Sequence, residues 1–258
     1  MFSLFNQKPF VDEDTRQWLL DTFAWADKYF TTNIYHTDAQ VILPTNQCYP
    51  GRVNSVEQLV ETIFQQTILY AGMEKWPITL NSMTHYDNHT APLLAFAGPL
   101  RGENVDCQMI ESSQPLQVVY NPAQINQPQD LIAFYVQQLA YMLIQQQQVL
   151  PPGGKELIPQ AIEVVACAMG FGVIFANTAY QFKGGCGSCY NPRANRQAAL
   201  PEQEVLYTLA IWSHVKQVHP KKILPHLKSH LRSPYKKMTK EVRQLLAGSK
   251  SEQFLSLQ

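Results

Sequence analysis

The chain has 258 residues, 45% of them apolar and 11% aromatic, with twenty Lys/Arg against twenty Asp/Glu. That is enough apolar material for a sizeable core, and the charge balance argues against a global polycation built for nucleic acid. Seventeen prolines and twelve glycines are ordinary for a globular chain and exclude a collagen-like or wholly disordered one. The start, Met1 to Lys8, has no basic n-region and only a stub of apolar residues, which argues against a secretory signal. Five cysteines, odd in number and sparse, suit a reducing cytosol rather than a disulfide scaffold. The expectation is a cytoplasmic, globular protein.

Asp12 can cap a helix from Glu13 to about Tyr29, on which Trp18, Leu19, Thr22, Trp25, Ala26 and Tyr29 recur at spacings of three and four. Val41-Ile42-Leu43-Pro44 reads as a short strand. Ser55 and Gln58 form a capping-box pair for a second helix, about Val56 to Tyr70, stopped at Gly72. Three strand-like pieces follow, Trp76 to Leu80, Pro92 to Ala97 and Leu116 to Tyr120, with turn residues between them. Asn126 can cap a helix with Pro128 in its first turn and Leu131, Tyr135, Gln138, Leu139 and Met142 along one face. The glutamine run to Gln148 and Pro151-Pro152-Gly153-Gly154 end it. A further helix, about Ile158 to Tyr180, is apolar almost all round, with Glu163 its only formal charge. Its charge-free run from Val164 to Ala176 is too short to cross a bilayer, and a helix apolar on every side belongs inside a protein. A loop through Gly184 to Cys189 leads to Pro201, which starts a helix through Trp212. No repeat and no clear linker interrupts this order. The expected fold is a single α+β domain over residues 1–258, predominantly helical with a small sheet.

The charges are segregated. Residues 214–258 hold ten Lys/Arg against two acids, while residues 1–213 hold ten against eighteen. The basic C-terminal end reads either as a solvated helical face or internal docking surface, or as a patch for nucleic acid or anionic lipid. Tyr235 is its only Tyr and it has no Trp, so it lacks the aromatic interleaving of a single-strand binder.

The central order is a strand ending Val118-Val119-Tyr120-Asn121-Pro122, a capped helix, a Pro/Gly break and a buried helix bearing one acid. It resembles the core of a bacterial zinc-metallopeptidase-like family, the zincins with a glutamate third ligand, and in particular an uncharacterised group whose active helix reads roughly A-H-E-L-A-H. The resemblance covers about Leu116 to Trp212, with a weaker match in the N-terminal helix, and includes the apolar run Met169 to Asn177. It implies a zincin-like helix pair at the core, with two histidines of H-E-x-x-H on zinc and the glutamate as general base. Here the matching positions read Gln137, Gln138, Leu139, Ala140 and Tyr141, with Glu163 where the acidic ligand falls. The i, i+4 spacing that lets two imidazoles converge on one cation is kept. The ligands are not, because a neutral amide binds zinc poorly and a phenol must lose a proton with a pKa of about 10. Gln138 cannot take a proton from water, which alone forfeits roughly 10² to 10⁴-fold of rate. The resemblance therefore implies a vestigial site at Gln137, Gln138, Tyr141 and Glu163, with no metal or other cofactor bound there.

Glu163 can snorkel at its helix start, accept hydrogen bonds from Gln137, Gln138 or Tyr141, or survive as a ligand in a remodelled site. Cys186-x-x-Cys189, flanked by Gly184, Gly185 and Gly187, has the bite of half a tetrahedral zinc site. The other ligands would come from Cys48, Cys107, Cys167 or a histidine. Structural zinc, a reversible dithiol and a plain loop all fit that spacing. His85/His89 and His226/His230 are spaced by four but read as surface residues, and Ser112 and Ser113 have no identifiable base. No phosphate loop, nucleophile elbow or dinucleotide fingerprint occurs. Two functions remain. One is a non-catalytic zincin-like pseudoenzyme that binds a protein or peptide partner or serves assembly. The other is a hydrolase with a remodelled site using Glu163 and Tyr141.

Overall fold

Asp12 opens the first helix, its Oδ1 accepting from the Thr15 amide at 2.9 Å and its Oδ2 from the Thr15 hydroxyl at 2.7 Å. These bonds favour the charged form and hold the Asp12 carboxyl below its ordinary pKa. The computed structural model describes residues 9–30, 41–51, 54–83, 92–110, 114–179 and 195–248. Its helices are α1 (Glu13–Phe30), α2 (Val56–Ala71), α3 (Pro128–Gln147), α4 (Ile158–Ala166), α5 (Gly172–Thr178), α6 (Glu202–Val215) and α7 (Ser229–Gly248). The strands are β1 (Ile78–Ser82), β2 (Leu94–Phe96), β3 (Cys107–Met109) and β4 (Leu116–Tyr120). The fold is predominantly helical α+β. Helix α2 has the predicted ends: the Gln58 amide donates to Ser55 Oγ at 3.2 Å, and Gly72 closes it in the left-handed region at φ +67°. A side chain at Gly72 would also meet the Gly102 amide at 2.8 Å.

The strands make two small ribbons, β1 parallel to β4 and β2 antiparallel to β3, with Leu80 opposite Val118 and Ala95 opposite Gln108. Helix α3 packs against α2, α4, α5 and β4; α1 lies on α4 and α6, and α6 lies between α5 and α7. The buried apolar residues of these elements form one contiguous cluster.

Three sequence expectations change. Residues 41–43 are not a strand; Ile42 is buried and its amide donates to the Gly170 carbonyl at 3.1 Å. That carbonyl faces outward because the helix expected over 158–180 is interrupted. A wide π turn at Cys167–Phe171, with Gly170 at φ +97°, separates α4 from α5. The glycine is needed there, since a residue with a Cβ is strained at that φ. The third change is at α3, whose N-cap is Gln127 rather than Asn126 and makes no side-chain cap bond. The stretch Lys155–Thr178 is, by length and composition, apolar enough to cross a membrane, further than the charge count from Val164 to Ala176 suggested. Most of it is buried inside the fold, between α1, α3 and α6.

Candidate functional site

Helix α3 packs against α4, so the two helices of the zincin-like resemblance are neighbours. What their polar side chains do follows from amide chemistry. A glutamine offers one carbonyl and one NH₂, the same donor and acceptor set as a peptide unit. Gln138 uses both on one strand residue: its Oε1 accepts from the Val119 amide at 2.8 Å and its Nε2 donates to the Val119 carbonyl at 2.9 Å. It thus pairs with the edge of β4 as a further strand would, and also donates to the Phe134 carbonyl at 3.1 Å. Eight residues along the same helix, Gln146 repeats the arrangement on the other ribbon. It accepts from the Leu94 amide at 2.9 Å and donates to the Pro92 carbonyl at 3.0 Å. Gln137 donates to the Gln197 carbonyl at 3.0 Å. Tyr141 is 43% exposed. Two neutral amides and a phenol are poor zinc ligands, and the Gln138 oxygen already accepts from a backbone amide.

Glu163 sits fully buried on α4, and a buried carboxylate has to be paired. Its partner is Arg196, itself 1% exposed, with Nη1 2.7 Å from Oε1 and Nη2 3.3 Å from Oε2. The Ala199 amide gives Oε1 a further bond at 2.6 Å. Arg196 Nε donates to Thr178 Oγ1 at 2.7 Å and Nη2 to the Phe175 carbonyl at 3.1 Å, while the guanidinium lies 4.4 Å above the Phe175 ring. The Arg196 backbone amide donates to Asp130 Oδ1 at 2.9 Å. Glu163 therefore neither snorkels nor takes bonds from Gln137, Gln138 or Tyr141. Together with Gln137 it fixes the segment Asn195 to Ala199 onto α3, α4 and α5. Arg196 and Asp130 were not singled out in the sequence. The only signal was the rule that a lone buried acid needs a cation, which does not say which one.

Beside this network opens a polar cleft of about 330 Å³, at the low end of ligand-pocket volumes, between the start of α3 and the end of α5. Gln127, Gln129, Asp130, Asn177, Asn195 and Lys228 line it. Asn195 Nδ2 donates to Gln127 Oε1 at 2.7 Å and Asn177 Nδ2 to Gln129 Oε1 at 3.1 Å. Asn177 also donates to the His226 carbonyl and accepts from the Lys228 amide. Both glutamine oxygens are thus taken, while their Nε2 groups make no hydrogen bond among the described residues. Burial raises the Asp130 pKa, opposed by bonds from the Arg196 amide and the Asn195 side chain.

Cys186, Cys189, His85, His89, Ser112 and Ser113 lie outside the described residues. Cys48, Cys107 and Cys167 are free thiols. The Leu43 amide donates to Cys48 Sγ at 3.4 Å, and Cys107 Sγ donates to the Lys75 carbonyl at 3.4 Å. Cys167 is buried in the π turn, where burial above all pushes its thiol far above the ordinary range. His230 pairs with Glu202 at 2.9 Å, and the His226 carbonyl rather than its ring serves Asn177. Among the described residues no three His, Cys, Asp or Glu side chains converge as a metal site would require. Comparison of the chain with family models, with curated proteins and with solved structures finds no match to any of them.

Proposed function

We propose that the chain is a non-catalytic, zincin-like pseudoenzyme that binds a protein or peptide segment. The observation that carries this reading is the state of Glu163. Its carboxylate is neutralised by the Arg196 guanidinium, accepts also from the Ala199 amide and has no contact with solvent, so it has no access to a substrate water. The hydrolase alternative needs Glu163 and Tyr141 at one reacting centre, and one is sealed in the core while the other is exposed. The cleft at the start of α3 supports the binding half of the reading. Its amides complement a peptide backbone, and the Nε2 donors of Gln127 and Gln129, which bond no described residue, suit carbonyl acceptors. Peptides selected from a display library on the pure protein should protect the amides around Gln127 to Asp130 from hydrogen exchange. Their affinity should fall about tenfold on Gln129→Ala, the loss of one such hydrogen bond. Chelator-sensitive peptide hydrolysis by the pure protein, abolished by Glu163→Gln in a folded variant, would overturn the reading.

Any zinc that the chain holds is proposed to be structural, at Cys186 and Cys189, in a protein of a reducing compartment where Cys48, Cys107 and Cys167 stay unpaired. Exchange of Cys186 and Cys189 for serine is expected to release that zinc and lower Tm by about 5 °C, equivalent to roughly 2 kcal/mol in a chain of this size. Elemental analysis and thermal melts test it together. A wild-type protein purified without zinc, with a Tm unchanged by the exchange, would show a plain loop instead.

A further inference from the structure

The reading above leaves the outer face of α7 unused. The helix buries Leu231, Tyr235, Met238 and Val242, and Tyr235 shares a 2.6 Å hydrogen bond with Ser213 on α6. At 3.6 residues per turn, Arg232, Lys236, Lys240 and Arg243 fall within an arc of about 80° on the opposite side, in a row about 17 Å long. All four are exposed. The one acid of the helix, Glu241, lies off this arc, where it accepts from the Tyr207 hydroxyl at 3.2 Å and approaches Arg16 at 3.7 Å. Lys236, Lys240 and Arg243 form no ion pair among the described residues. Among the described residues, therefore, no acid neutralises these three cations, while residues 1–213 carry an excess of acids.

We propose that this face docks the protein on an anionic bilayer surface, through phosphatidylserine-type headgroups. The apolar side of α7 is already used against the core, so the helix cannot insert as a free amphipathic helix does. Attachment is electrostatic, peripheral and reversible, and falls off within a Debye length. Charge segregation at zero net charge favours one orientation: an anionic plane attracts the basic face and repels residues 1–213, where acids outnumber Lys and Arg. A flexible polyanion that wrapped beyond the face would meet that acidic body. The arc also carries no aromatic side chain on which bases could stack. The Arg232 fork is engaged with the Leu227 and Pro225 carbonyls at 2.9 and 3.1 Å.

Co-sedimentation of the full chain with vesicles tests this. The protein is expected to pellet at low salt with phosphatidylcholine vesicles containing a substantial fraction of phosphatidylserine, to be released by added salt, and to ignore phosphatidylcholine alone. The K236E/K240E/R243E variant should lose roughly a hundredfold in partitioning, about fivefold for each cation removed. K236Q/K240Q, which introduces no repulsion, should lose at least tenfold and serves if the reversal variant melts early by circular dichroism. Lys155→Glu, at an exposed cation in the turn before α4, should change nothing. Failure to bind phosphatidylserine vesicles at low salt would overturn the proposal, as would binding that survives both variants. So would binding of a duplex oligonucleotide through these residues with no vesicle binding, which would assign the face to nucleic acid.

Discussion

Glu163→Gln is expected to lower the free energy of unfolding by about 3–5 kcal/mol, because it leaves the Arg196 guanidinium buried and without its counter-charge. The side chains of Glu163 and Arg196 are both 0% exposed, so water cannot replace the lost partner. The glutamine oxygen can still accept one hydrogen bond. It cannot offset the desolvated charge, and its NH₂ group faces a donor at Nη2 or at the Ala199 amide. Urea denaturation should show the loss as a fall in the midpoint at unchanged slope. A loss below about 1 kcal/mol would mean that Arg196 has another counter-ion and that the pair does not hold the segment Asn195 to Ala199.

The same pair separates a structural role from a catalytic one. Removing both charges as Glu163→Leu/Arg196→Met removes the desolvation cost of each, so the double variant should be more stable than either single variant. A general base behaves otherwise, since its replacement abolishes turnover and leaves stability equal or higher. The cycle therefore tests the proposed reading without needing a substrate.

What the sequence made legible was set by how local each signal is. The Ser55 and Asp12 caps, the Gly72 stop and the alternation of Leu116 to Tyr120 depend on neighbours within four residues, and the structure keeps them. Strand β3 was not legible. Cys107-Gln108-Met109 is too short a run to signal a strand and owes its extension to pairing with Leu94 to Phe96. Val41 to Leu43 had strand composition but no strand partner; its Ile42 amide found the carbonyl that the π turn releases at Gly170. That turn was masked in turn by composition, since a helix apolar on every side shows no periodicity for a kink to disturb. At the site, the lone Glu163 announced a cation, but Arg196 lies 33 residues away and nothing local distinguishes it from the other Lys and Arg. For Gln137 and Gln138 the comparison with H-E-x-x-H spoke only of metal chemistry. What Gln138 does, offering a donor and an acceptor to the backbone of Val119, depends on where β4 passes.

That pairing makes Gln138 the second decisive position. Gln138→Glu introduces the glutamate of H-E-x-x-H, yet it is expected to cost roughly 2–3 kcal/mol at neutral pH, the penalty for part-buried groups left facing like partners. The Val119 amide can still find an acceptor. The Val119 and Phe134 carbonyls, now 2.9 and 3.1 Å from a donor, would instead face a carboxylate oxygen with no hydrogen to give. That repulsion disfavours the charged form, so the new carboxyl should titrate above the ordinary glutamate value of about 4.3 in the folded state. A pKa raised on folding adds stability at low pH that is lost as pH rises, so the deficit against wild type should shrink as pH falls through the raised value. Urea midpoints at two pH values measure both effects. Adding Gln137→His and Tyr141→His to Gln138→Glu completes the motif on paper. The first change removes the bond to the Gln197 carbonyl, and the second alters a side chain that is already exposed. Glu163 stays bonded to Arg196. The triple variant is therefore expected to hydrolyse no peptide and to bind no zinc through α3, with most of its lost stability traceable to Gln138→Glu. A triple variant that kept wild-type stability and acquired stoichiometric zinc, lost again on Glu163→Gln, would show that the strand clamp is dispensable and that a metal site had been only three substitutions away.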